Sequence, residues 1–179
     1  LRGAERLYRR IILIQPTMAC AAHCRWCLRG QYPISGLRDK DIINFAKYCG
    51  SAAARDDLRE VLVTGGDPFL VPQKLLLIIS ELKKHAPNIR IVRIGTRIPV
   101  QDPGRINPKL RAVLDSADPI RLEIGTHVNH AIELTPEARA AFAQLREVGC
   151  TVYCQSVLLK GVNDRYEALR DLFNELRYL

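Results

Sequence analysis

No stretch of this 179-residue chain stays apolar for long. Its longest aliphatic run, residues 75–79, covers five positions, against the roughly 20 that a bilayer-spanning helix needs. A GxGxxG turn, the usual mark of a dinucleotide-binding sheet, is absent. So is any basic stripe interleaved with aromatics, which leaves the net charge of +8 without a nucleic-acid motif beside it. Six cysteines are too few for a disulfide scaffold at this length, and no signal peptide is in view, so free thiols in a reducing cytoplasm are expected. Methionine occurs once, at Met18, and residue 1 is Leu, so the chain reads as a fragment of a longer protein.

With 47% hydrophobic side chains the chain can bury a sizeable core, and its length suits one domain over residues 1–179. The 27 basic and 19 acidic residues are scattered in short clusters such as Arg9-Arg10 and Lys83-Lys84. That pattern reads as a solvated surface; attraction to an acidic partner or RNA has only electrostatics behind it.

Cys20, Cys24 and Cys27 stand in the string CAAHCRWC, directly after the apolar run at residues 11–14. A cubane iron–sulfur cluster has four irons, each normally held by its own thiolate. Three thiolates on one short loop hold three irons and leave the fourth open to a small molecule. Cys20, His23, Cys24 and Cys27 could instead form a tight zinc site. Zinc motifs, however, usually pair two ligand couples separated by a dozen or more residues, and here all four candidates lie within eight positions. Cys49, Cys150 and Cys154 fall on helix or strand segments and are expected to be small core thiols.

Strand-like runs near Ile11, Val61, Ile89, Ile120 and Thr151 alternate with helical patterns over residues 39–49, 72–85, 107–115, 136–148 and 164–179. Thr135 before Pro136 predicts an N-cap and Gly149 a left-handed C-terminal stop. Asp164 with Glu167 predicts a capping box, and Tyr166, Leu169, Leu172, Phe173 and Leu176 an apolar face. Alternation of this kind implies parallel strands joined by helical crossovers. All five strands run into functional-looking groups: the cysteine loop, Thr64-Gly65-Gly66-Asp67, Gly95-Thr96-Arg97, Gly125-Thr126-His127 and Gln155-Ser156. A barrel with its site on one face predicts that distribution, whereas a doubly wound sheet concentrates its site at one switch point. The paired Gly65 and Gly66 would let backbone approach a ligand closely, or simply make a turn.

The cysteine spacing, with Trp26 just before the last cysteine, closely resembles that of the radical S-adenosylmethionine enzymes. The strings VLVTGGDPFLVP, IRIVRIGTRIPV, GTHVNHAIELTPE and YCQSVLLKGVND narrow the resemblance to the lysine 2,3-aminomutase family. This resemblance implies a [4Fe-4S] cluster on Cys20, Cys24 and Cys27, S-adenosyl-L-methionine on the open iron, and a 5′-deoxyadenosyl radical from its reductive cleavage. It also implies pyridoxal 5′-phosphate, with an amino group exchanged for a hydrogen on the adjacent carbon of an amino acid. The implied partners are an electron donor such as flavodoxin or ferredoxin and an amino-acid substrate, with a homo-oligomer allowed; no membrane is involved.

Carried over residue by residue, Trp26 matches the aromatic beside the adenine, and Thr64, Gly65, Gly66 and Asp67 match the motif for the methionine ammonium. Arg29 matches the arginine for the substrate carboxylate, a role that a guanidinium fork suits. His127 and Gln155 match polar positions at the cofactor end, or else hydrogen-bond strand ends. Arg10 aligns with an arginine for the pyridoxal phosphate group only after a one-residue insertion. Lys160 falls at a position the family does not use for its pyridoxal lysine. Five βα units are present where these enzymes build six, so a partial barrel is expected, with the sixth strand and the pyridoxal lysine outside the sequence. A radical enzyme of the same lineage without pyridoxal phosphate, and a non-catalytic cluster or zinc module with an RNA or protein partner, remain as alternatives.

Overall fold

A computed structural model describes residues 1–28 and 36–179. Five parallel strands run in sequence order: β2 (Ile11–Thr17), β3 (Glu60–Gly65), β4 (Ile91–Gly95), β5 (Arg121–Thr126) and β6 (Thr151–Cys154). A short strand, β1 (Ala4–Tyr8), which the sequence patterns did not predict, pairs antiparallel with β2 and makes one edge. Its alternation is masked by charged side chains, and its partner supplies the pairing that its own propensity does not. The helices α1 (Asp39–Cys49), α2 (Pro72–His85), α3 (Ile98–Gln101), α4 (Pro108–Asp115), α5 (Pro136–Glu147) and α6 (Tyr166–Arg177) fill the crossovers and close the chain. Strand order never reverses and β1 does not meet β6, so the sheet is an open part of a barrel with no switch point.

Register explains the two faces. Ile12, Val61, Val92 and Leu122 form one row across the sheet, and Ile14, Val63, Ile94, Ile124 and Val152 the next. These rows pack against Ile42 and Phe45 of α1, Leu75, Ile78 and Leu82 of α2 and Phe142 of α5 in a single apolar core. Because strand side chains alternate, the intervening positions point the other way. They include Gln15, Leu62, Thr64, Arg93 and Glu123, and Leu13 is fully buried without belonging to the helix-facing core. A sheet covered by helices on one face and polar on the other places its chemistry on that second face and at its rim.

The predicted cap holds at α5, and α4 carries a similar one that the sequence reading did not name. Thr135 Oγ1 accepts from Ala138 N at 3.2 Å and Asn107 Oδ1 from Leu110 N at 3.1 Å, each followed by Pro in the first turn. Gly149 takes φ +78°, as a left-handed stop requires. The predicted capping box at α6 does not form. Arg165 is extended and occupies the N-cap, so Asp164 sits one residue outside the helix and Glu167 is no longer three places from the cap. Of the predicted apolar face, Leu172 is fully buried while Tyr166 and Phe173 are exposed, because the sheet ends at the short strand β6. Among the described residues no helix is long and apolar enough to cross a membrane.

Candidate functional site

The end of β2 carries the cysteine loop onto the end of β3. Gly66 N donates to Thr17 O and Asp67 N to Ala19 O, both at 2.8 Å, while Thr17 Oγ1 accepts from Ala19 N at 3.1 Å. Both glycines are required by this seat. Gly65 has φ +112°, and a Cβ there would lie 2.6 Å from Thr17 O; a Cβ on Gly66 would lie 2.1 Å from Ala19 O. The close approach expected from the glycine pair is therefore made to the chain's own cysteine loop. Beyond it, Cys27 N donates to Cys24 O at 3.0 Å, and His23 adopts φ +37°. Cys20 and Cys24 are half-buried and Cys27 is exposed.

Asp67 ties this seat to the neighbouring strand. Its side chain accepts from Phe69 N (3.1 Å), Thr96 Oγ1 (2.7 Å) and Arg97 N (2.8 Å), and it is 2% exposed. Burial raises its pKa above the ordinary carboxylate value, and those same donors oppose the rise. As placed, Asp67 joins the ends of β3 and β4.

Arg97 then reaches back across the rim. Its Nη1 donates to Cys24 Sγ at 3.4 Å, its Nη2 to Glu133 Oε1 at 3.0 Å, and its Nε approaches His127 O at 3.4 Å. The guanidinium lies over the Trp26 ring, 5.1 Å from the centroid, a cation–π distance. Neither Arg97 nor Glu133 stood among the predicted site residues. The GTR string at a strand end was the available signal for Arg97; Glu133, in the turn before α5, had none.

His127 is half-buried at the end of β5, with Nδ1 buried and unpartnered; burial lowers its pKa, opposed by the Gln155 backbone. Gln155 N donates to Thr126 O at 2.7 Å, and the Gln155 side chain extends over Gly125, whose Cβ would meet Gln155 Oε1 at 3.4 Å. Thr64 lies over Gly95 in the same way, its Oγ1 being 3.3 Å from where a Cβ would stand. Trp26, Thr64, Gly65, Gly66, Asp67, His127 and Gln155 are thus at the C-terminal ends of the strands with the three cysteines.

One predicted residue does not join them. Arg10 lies in the turn before β2, where its carbonyl accepts from Arg59 N and Glu60 N, so the seven-residue strand separates it from the cysteine loop. Arg29 lies outside the described residues. Of the three remaining thiols, Cys49 and Cys150 are buried, and burial pushes them up to about 12 and about 11. Cys154, expected in the core, is exposed, because β6 is an edge strand.

Three free thiols on one loop, Cys20, Cys24 and Cys27, are the ligand chemistry of an iron–sulfur cluster. Among the described residues no three Cys, His, Asp or Glu side chains converge to hold one metal ion. A cubane takes one thiolate on each of three different irons, so its three sulfurs stand farther apart than the ligands of a single ion. The unpartnered Nδ1 of His127 and Oε2 of Glu133 are polar atoms at the same rim, suited to a polar ligand.

Comparison with known proteins finds similar chains. The model of the Radical SAM superfamily matches residues 14–173. An L-lysine 2,3-aminomutase of Fusobacterium nucleatum is 35% identical over 174 residues, 97% of this chain and 40% of that protein. One from Buchnera aphidicola is 35% identical, covering 97% of this chain and 51% of its own length. A putative L-lysine 2,3-aminomutase of Aquifex aeolicus is 36% identical, with 97% and 47% covered. The chain spans about half the length of these relatives, or somewhat less.

Proposed function

This chain belongs to the radical SAM superfamily, and from that premise we propose that it is the core of a radical S-adenosylmethionine isomerase that moves an amino group between adjacent carbons of an amino acid. The observation that carries the proposal is the seating of the Cys20, Cys24 and Cys27 loop on Gly65-Gly66, at the rim where His127 and Gln155 also stand. Cys20, Cys24 and Cys27 would hold a [4Fe-4S] cluster. When bound, the cluster and S-adenosylmethionine together supply a 5′-deoxyadenosyl radical, the hydrogen-abstracting agent. Trp26, Thr64, His127 and Gln155 line the side of the rim where S-adenosylmethionine would lie, and Asp67 holds the glycine turn that shapes it. A flavodoxin- or ferredoxin-type donor would deliver the electron.

The aminomutase reading rests on the sequence likeness to proteins of that name. Arg10, the residue aligned with the pyridoxal phosphate contact, lies at the other end of β2 from this rim.

The test is anaerobic reconstitution with iron and sulfide, followed by paramagnetic resonance with and without S-adenosylmethionine. We expect four irons per chain and a signal that changes on adding the ligand; an unchanged signal argues against an open iron. The protein containing the whole relative-length chain is then supplied with pyridoxal phosphate and single amino acids, and β-amino products are measured. S-adenosylmethionine cleavage without migration on any of them assigns a different radical reaction. Stoichiometric zinc in a stable, colourless protein overturns both. In that assay Arg29→Lys should retain the cluster and the uncoupled cleavage yet lose migration sharply, because a lysine keeps the charge and loses the two-toothed grip on a carboxylate. Unchanged migration kinetics would remove Arg29 from the substrate.

A further inference from the structure

Arg97 joins three parts of the rim at once. Its backbone N–H is held by Asp67, its plane covers Trp26, and its side-chain donors are shared between Cys24 Sγ and Glu133. Only 13% of the side chain is exposed, and Glu133, its counter-ion, is 22% exposed, so the pair is poorly screened by solvent. Of the three loop cysteines, the recorded N–H···S contact of the guanidinium is to Cys24, 73 residues away in the chain.

An N–H donated to a thiolate sulfur, with a positive charge behind it, draws electron density from the metal that the sulfur ligates. Hydrogen bonds to sulfur, net charge and solvent exposure are the protein's levers on an iron–sulfur potential. Resting on the radical SAM reading, we propose that Arg97 is a positioning residue that acts through the Cys24 sulfur to raise the reduction potential of the cluster, with Glu133 as the opposing charge that limits the rise. The same contact sets the Cys24 iron apart from those on Cys20 and Cys27. Stacking on Trp26 helps hold the guanidinium at the sulfur.

The test is a redox titration of the reconstituted full chain with dithionite, followed by paramagnetic resonance, in the absence of S-adenosylmethionine. Arg97→Gln removes the charge and should make reduction about tenfold less favourable, a shift of about 59 mV to lower potential for one electron. Glu133→Gln removes the opposing charge and should shift the potential the other way. Iron and sulfide content should match the parent in both variants. Opposite shifts are the signature, because a structural defect alone would not reverse sign between the two substitutions. Potentials within error of the parent in both, or shifts in one direction for both, overturn the inference. Should Arg97→Gln fail to assemble a cluster, Glu133→Gln decides alone, and an unchanged or lowered potential overturns it. A parent chain that takes up no cluster sinks the radical SAM reading instead, so the two failures are distinguishable.

Discussion

At the scale of single residues, the site depends on atoms that are missing as much as on those present. Gly66 has no Cβ, and one placed there would stand 2.1 Å from a backbone oxygen, which has no flexible end to yield. Gly66→Ala should therefore push the cysteine loop off β3. Overpacking of this kind costs about 1–3 kcal/mol, and a fall in Tm together with reduced iron uptake would check it; parent-like iron content would deny the seat. Asp67 gives a prediction with a sign. Its folded pKa lies above the ordinary 3.8 because it is buried. An acid raised on folding binds its proton more tightly in the folded state, so its contribution to stability is full below its unfolded pKa and is lost as pH rises through the raised one. The unfolding free energy of the parent relative to Asp67→Asn should thus decline as pH rises from 3.8 and then level off. Denaturant titrations at several pH values read this, and a difference independent of pH would mean that Asp67 does not carry that proton.

Among the elements, α5 shows how local signals fix an end. Thr135 caps it, Pro136 occupies its first turn, and Gly149 follows with positive φ. Thr135→Ala should destabilise the fold by about 1 kcal/mol, with Thr135→Gly costing less. Equal stability of Thr135→Ala and parent in urea would show the cap to be dispensable. The contrast is α6, where the Asp164 and Glu167 spacing is present but the helix starts later, at Tyr166. A capping box needs its first residue at the N-cap, and Arg165 takes that place. β1 makes the reverse point, since it is a strand because β2 offers an edge to pair with.

Across the whole molecule, the polar face of the sheet holds a charge network that spans three strands. Arg93 on β4 pairs with Glu123 on β5 at 2.9 Å and with Glu60 on β3 at 3.2 Å, and Arg121 holds the other oxygen of Glu123 at 2.8 Å. Glu123 is 2% exposed, so it depends on these cations. Glu60, with burial outweighing its arginine, has its pKa raised. Arg93→Ala leaves Glu60 without its arginine partner and Glu123 with one cation, which should cost about 1–3 kcal/mol. Arg93→Lys should recover part of that. Chemical denaturation of the three proteins checks the order, and an alanine variant as stable as the parent would mean that solvent screens the network.

What the sequence determined by itself was whatever depends on short spacing. Three cysteines within eight positions declare their ligand pattern, glycines after a strand declare a close approach, and apolar runs alternating with helical periods declare parallel crossovers. Those signals were enough to place Cys20, Gly65, Gly66, Asp67, His127 and Gln155 at strand ends and to expect a partial barrel. Tertiary structure alone decided which groups meet across those ends. The glycines receive the backbone of Thr17 and Ala19, Arg97 reaches Cys24 from a strand two places along the sheet, and Arg10, near in sequence to the cysteines, is carried to the opposite end of β2. The physical reason is that a strand converts nearness in sequence into distance along its axis, while a sheet converts long sequence separations into neighbouring strand ends. Local pattern can record the first, and only the pairing register fixes the second.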